Sequence, residues 1–199
     1  VAEDSGLSVA IGDWVMESLA GTVARWAEAG MEQRFALNVS HRQLGQGDFC
    51  ERLIDALERA GGTPSLVEIE VAEMVVMQAD QAALDGLARL RALGVRVSLD
   101  NFGTGHTKFA RLREMPVDRL KLDRSLIADI ARSAEARAVA HAVVSLMHGL
   151  GREVVAEGVE TTDQIDVRRV IGCDAIQGHA VARPMTETAL RHWAIDRLD

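Results

Sequence analysis

The stretch VRVSLDNFGTGHTKF, Val95–Phe109, decides the fold. Apolar residues alternate through Val95, Val97 and Leu99, then give way to Asp100-Asn101, with Gly103 and Gly105 close behind. A strand that brings polar groups to a site and passes into a loop free to take positive φ has this pattern. Five other runs read as strands: Arg34–Ser40 (RFALNVS), Leu66–Val71 (LVEIEV), Arg119–Asp123 (RLKLD), Glu153–Val159 (EVVAEGV) and Ala175–Ala182 (AIQGHAVA). Between them lie segments with apolar residues at helical spacing, such as Ala79–Leu93 and Ala134–Leu150. Gly61-Gly62, Gly94 and Gly151 punctuate helix ends. The alternation is a βα repeat, which predicts an α/β fold with a parallel sheet. No linker or low-complexity tract divides it, so residues 1–199 are expected to form one domain.

Composition narrows the function. With 199 residues, 48% hydrophobic and 26% charged, the chain can bury a sizeable core. A net charge of -8 argues against DNA or any other partner held by bulk attraction to phosphates. Cys50 and Cys173 stand apart, with no Cys/His cluster, so neither a disulfide framework nor a zinc site is indicated. There is no signal peptide and no membrane-length apolar run, which is the expectation for a soluble chain in a reducing compartment.

Polar residues fall at the ends of the strand candidates. Asn38, Glu70, Asp100, Lys121, Glu157 and Gln177 each stand at or just past the last apolar positions of a different strand. In a parallel barrel they would converge on the C-terminal face, where such folds carry their active sites. Taken singly, each is equally well explained as a solvated strand end; taken together they predict a shared site.

The motifs LNVSHRQL, EIEVAE, SLDNFGTGH, DRLKLDRSLI, VVAEGVET and GCDAIQGHAVARPM resemble, in order and spacing, those of the EAL domain, the cyclic-di-GMP phosphodiesterase module of bacterial signalling proteins. The opening AEDSGLSVAIGDWV is similar to the segment that follows the EAL signature. The resemblance implies a (β/α)8 TIM-type barrel with one antiparallel strand that binds cyclic di-GMP and hydrolyses it to the linear dinucleotide pGpG. By the same resemblance, Asn38, Glu70, Asp100 and Glu157 match metal-ligand positions, Asn101 stands where the family has a second Asp, and Lys121 matches the lysine near the attacking water, so that Lys121 and Glu157 are the catalytic candidates. Glu160 and Gln177 match positions that support the site and contact ligand. Glu73 matches the acid that anchors the glycine loop of Gly103 and Gly105.

The chemistry accounts for these residue types. Carboxylates and an amide oxygen are hard ligands suited to Mg²⁺ or Mn²⁺. Two such ions can generate a nucleophilic water and stabilise charge on the phosphate, whereas Ca²⁺ is expected to support binding without turnover. Lys121 is suited to orient the water or move a proton, since burial can lower a lysine pKa; its plainer role is a salt bridge to an acid such as Asp123. Glu73 reads equally as a first-turn helix acid, Gln177 as a solvated strand end, and His106 as a solvent-facing loop histidine.

Two departures from the family pattern bear on activity. The EAL signature itself is absent, and barrels of this kind run to about 250 residues, so about two further strands are expected upstream of Val1. Asn101 offers a neutral oxygen where a carboxylate would help to hold a second ion. A weak phosphodiesterase, a receptor that binds cyclic di-GMP without cleaving it, and a protein-interaction module all remain open at this point. The resemblance further implies a bacterial cytoplasmic setting, including as part of a membrane-tethered parent, a homodimer through the barrel loops, and a GGDEF or sensor domain upstream.

Overall fold

The structure, a computed structural model, describes residues 7–104 and 109–196. Six strands form one sheet in sequence order: β1 (Phe35–Val39), β2 (Val67–Ala72), β3 (Arg96–Phe102), β4 (Arg119–Leu122), β5 (Glu153–Ala156) and β6 (Ala175–Ile176). The helices are α1 (Leu7–Glu28), α2 (His41–Leu44), α3 (Phe49–Ala60), α4 (Glu73–Gln78), α5 (Gln81–Ala92), α6 (Phe109–Leu112), α7 (Arg124–Ile127), α8 (Ala134–Gly149), α9 (Thr162–Ile165), α10 (Val167–Ile171) and α11 (Glu187–Ile195). This is the strand and helix order of a TIM-type α/β barrel.

Every described strand pairing is parallel, because a helix-bearing crossover separates each consecutive pair. The antiparallel strand expected from the sequence is therefore not among the described strands, and β1 and β6 are the two edges of the sheet. Two strands are shorter than their sequence runs. β5 stops at Ala156, since Gly158 takes φ 66° and leaves the extended region. β6 stops at Ile176, where Gly178 passes so close to Val159 that a Cβ would stand 2.2 Å from its carbonyl oxygen.

Strand alternation sorts the residues into two faces. Val67, Ile69 and Val71 of β2, Val97 and Leu99 of β3, Leu120 and Leu122 of β4, and Val154 and Ala156 of β5 are fully buried in the hydrophobic core. The intervening positions, apart from Ser98 and Val155, carry charge. Glu68 and Glu70, Arg96 and Asp100, Arg119 and Lys121, Glu153 and Glu157 stack in two layers along the opposite face.

Two aspartates fasten the N-terminal end of the sheet. Asp118, just before β4, donates its N–H to Val97 O at 2.8 Å and accepts the Val97 N–H on its carboxylate at 2.9 Å. Asp174, just before β6, repeats the arrangement with Val154, at 2.8 and 2.7 Å. The last helix is tied to the first: Glu187 accepts from Trp26 Nε1 at 3.0 Å and from Arg25 at 3.1 Å, and the Arg191 guanidinium lies 5.3 Å from the centre of the Trp26 ring. Among the described residues no helix is long and apolar enough to cross a membrane.

Candidate active site at the C-terminal mouth of the sheet

Register brings the polar strand ends level. Asn38 pairs with Glu70 across β1 and β2, and Ala72 with Asp100 across β2 and β3. The ladder between β3 and β4 shifts between Leu99 and Phe102. Asn101 sits inside that irregularity at φ 55°, the only non-glycine residue with positive φ among the described residues. Asparagine tolerates the left-handed region better than most residues. Bulges commonly re-aim side chains beside active sites.

At the centre stands Lys121, 3% exposed, with Nζ 2.6 Å from Glu70 Oε1, 2.7 Å from Glu157 Oε1 and 3.7 Å from Asp100 Oδ1. Burial disfavours the ammonium. Hydrogen bonds to Glu157 and Glu70, together with their negative charges, outweigh it and hold the Lys121 pKa above the ordinary lysine value. The depression that burial alone would give is thus overturned, and the lysine is a fixed cation at neutral pH. Glu157 is driven the other way: burial pushes its carboxyl up, Lys121 pulls it back, and the charges of Asp100 and Glu70 leave it above the ordinary range. Asp123 does not pair with Lys121; it caps α7 by accepting the Ser125 N–H at 2.8 Å.

The cluster holds three carboxylates against one ammonium, an excess of two negative charges in a largely buried setting. Asp100 shows where that excess lies. Its Oδ2 accepts from the Asn101 amide at 3.0 Å, whereas its buried Oδ1 has no hydrogen-bond partner. Hard oxygen donors, surplus negative charge and an orphaned carboxylate oxygen together fit a divalent cation. Among the described residues no three carboxylate, imidazole or thiolate groups gather closely enough to hold an ion alone.

Two clefts flank the cluster. One, about 740 Å³, is lined by Asn38, Glu70, Glu73, Asp100 and Asn101, with Arg42 among its other walls. The other, about 540 Å³, is lined by Glu157, Glu160, Gln177, Gly178, Met185 and Trp193. Supporting contacts fix their walls. Glu73, the first residue of α4, accepts the Gly103 N–H at 3.1 Å, so it is both a helix-start acid and the anchor of the loop after β3. Glu160 pairs with Arg124 at 2.9 Å, and its N–H donates to Gln164 Oε1. Ser40 and Gln43 form a reciprocal capping box just past Asn38. Gly105 and His106 lie outside the described residues.

Arg124, the Ser40–Gln43 box and the unusual backbone of Asn101 are absent from the sequence reading. Of these only the box carries a local signal, Ser-x-x-Gln after a strand.

A parallel α/β sheet in TIM-type order with an acid-rich cluster at its C-terminal strand ends has the architecture in which barrel folds carry their sites. The chain belongs to the EAL domain family, whose profile matches residues 1–184. It is 39% identical over 193 residues to a signalling protein of Caulobacter vibrioides, covering 97% of this chain and 24% of that protein. It is 37% identical over 194 residues to the cyclic di-GMP phosphodiesterase NbdA of Pseudomonas aeruginosa, covering 97% and 25%. The structure of the MucR phosphodiesterase in complex with cyclic di-GMP superposes with a TM-score of 0.88 at 35% identity, covering 95% of this chain and 77% of that one. The chain spans about a quarter of the two relatives' length.

Proposed function

We propose that residues 1–199 form one EAL-like unit that binds cyclic di-GMP across the C-terminal mouth and hydrolyses one phosphodiester slowly to the linear dinucleotide. The observation that carries this reading is the cluster of Lys121 with Glu70, Asp100 and Glu157, with its two-charge acidic excess and the orphaned Asp100 Oδ1. Mg²⁺ or Mn²⁺ held there would neutralise the phosphate and activate water.

The chain's own groups do the rest. Asn38, Glu70, Asp100 and Glu157 supply the oxygen donors. Lys121, kept protonated by its partners, donates to the attacking water and screens the phosphate charge. The Asn101 amide holds Asp100 Oδ2, which leaves Oδ1 turned to the site. Gln177 presents its amide to a guanine edge, and the Arg124 ion pair fixes Glu160 beside it. Glu73 steadies the loop at Gly103. Slowness follows from Asn101, a neutral group where a carboxylate would add charge to the donor set.

Incubation with cyclic di-GMP and Mn²⁺, followed by chromatography of the products, tests the reading. Slow formation of the linear dinucleotide by the wild type, and none by Glu157→Ala, supports it; absence of product from the wild type at stoichiometric enzyme contradicts it. A receptor without turnover is the second reading, favoured by the way Lys121 already engages both Glu70 and Glu157 and so competes with a cation for their oxygens. The parent protein is proposed to carry a GGDEF or sensor domain and to act, as a dimer through the barrel loops, on the cytoplasmic side of a bacterial membrane.

A further inference from the structure

The opposite end of the sheet holds a cavity of about 690 Å³ whose walls include Arg34, Arg91, Arg96, Arg113 and Arg152. A chain of net charge -8 here concentrates five guanidiniums against three carboxylates. Pairing does not neutralise them all. Arg91 is held by Asp118 through two hydrogen bonds, at 2.9 and 2.7 Å. Arg96 shares Glu153 with Arg119, which also reaches Glu68. Among the described residues Arg34, Arg113 and Arg152 form no salt bridge with any carboxylate, and the only acid without a partner in the same walls is Glu114.

Two of these three cations are set in place by the backbone. Arg34 donates through Nε to Ser65 O at 3.0 Å, so its two terminal nitrogens remain for another acceptor. Arg152, 9% exposed, donates to the carbonyls of Leu112, Arg113 and Met115, and contributes its charge to the cavity without its own N–H groups. Carbonyl partners orient a guanidinium but do not cancel it. Partial desolvation of the exposed Arg34 and burial of Arg152, and then the charge of neighbouring Arg96 for Arg34 and of Arg91 for Arg152, lower the pKa of both. The cavity therefore carries about two unbalanced positive charges, with the Arg34 fork held in place and its terminal nitrogens open, and a guanidinium fork recognises phosphate by paired N–H···O contacts.

We propose that this cavity is a second ligand site, for a small phosphate-bearing anion of two or more negative charges such as a diphosphate group, separate from the acidic mouth and independent of divalent cations. The binding groups are Arg34 and Arg113, with Arg152 as a buried charge behind them. Its size falls in the range of small-ligand sites. The acidic mouth, with surplus negative charge, repels the same anion once cations are chelated, so the two sites separate experimentally.

Inorganic pyrophosphate is the probe, titrated into the chain by calorimetry in EDTA at low and then at physiological salt, with Arg34→Gln/Arg113→Gln beside the wild type. Both side chains are exposed, so the variant is expected to keep the wild-type circular dichroism. The account predicts saturable binding in EDTA, weakened at least tenfold in the double variant and unchanged in Asp100→Asn. Absence of saturable binding by the wild type at 10 mM pyrophosphate, on the order of one hundred times the upper end of the usual non-specific nucleic-acid range, overturns it. So does binding that the double variant retains in full. A thermal-shift series gives an independent reading, because a ligand specific to the folded state raises the midpoint with concentration.

Discussion

The two charged layers of the sheet sit on the same faces of the same strands, two to four residues apart, and differ in balance. Toward the N-terminal end Glu68 and Glu153 meet Arg96 and Arg119, charge for charge, and Ser98 adds a 2.5 Å hydrogen bond to Glu68. Toward the C-terminal end Glu70, Asp100 and Glu157 share one lysine, and a carboxylate oxygen is left without a hydrogen bond. Burying charge is costly in both places. The first layer meets that cost internally, as a structural network does. The second leaves it unmet, and the proposed function assigns the missing charge to a bound ligand.

The largest effect that can break this contrast comes from Lys121→Met. Removing the only cation leaves buried carboxylates unpaired, and the metal-free protein is expected to lose about 3–5 kcal/mol in urea unfolding. Added Mn²⁺ should restore part of that loss, and an identical loss with and without Mn²⁺ would place the acidic layer with the structural one. Glu68→Gln is the counterpart. It should cost about 1–3 kcal/mol, with no response to Mn²⁺ and no change in cyclic di-GMP binding; a Mn²⁺-dependent cost would erase the distinction between the layers.

Asn101→Asp sharpens the comparison further. The left-handed backbone accepts Asp as well as Asn, and one more carboxylate at the mouth should tighten Mn²⁺ binding roughly 10–100-fold, the usual span for changing a group that supports a metal ligand. Unchanged affinity in a Mn²⁺ titration would mean that residue 101 only orients Asp100.

The smallest effect is Asp174→Asn. Burial raises this carboxyl, but the hydrogen bond from His148, that from the Val154 N–H and the His148 charge outweigh it and leave the pKa lowered. A depressed folded-state pKa gives stability that is present above the unfolded value, about 3.9 for Asp, and lost as pH falls through the lower folded value. Asp174→Asn should therefore flatten the stability profile only below about pH 4. A change confined to neutral pH in acid-unfolding curves would contradict that assignment.

Much of this was legible in the sequence because strand alternation is a local signal. VEIEV, RVSLD and RLKLD show period-two placement of charge between apolar residues, which predicts both the buried outer face and the polar strand ends. The EAL membership follows from motifs lying on those same strands. Long-range geometry was not legible. Nothing local pairs Arg124 with Glu160, seats Trp26 on Glu187, or makes Asp118 and Asp174 clamp the starts of Val97 and Val154, since each contact spans between 20 and 161 residues. The early ends of β5 and β6 escaped for a related reason: the close approach of Gly178 to Val159 exists only after folding. Asn101 reads as a lost acid in sequence, whereas its backbone and its hydrogen bond to Asp100 give it a conformational task as well.

The measurement that tests the central claim most directly is calorimetric titration of the chain with cyclic di-GMP in Ca²⁺, repeated in EDTA. The account predicts saturable binding with Ca²⁺ that disappears on chelation, because the unmet charge of Glu70, Asp100 and Glu157 must be neutralised before two phosphates can approach. Equal binding in both conditions would contradict it and identify a receptor site in which Lys121 alone supplies the compensation.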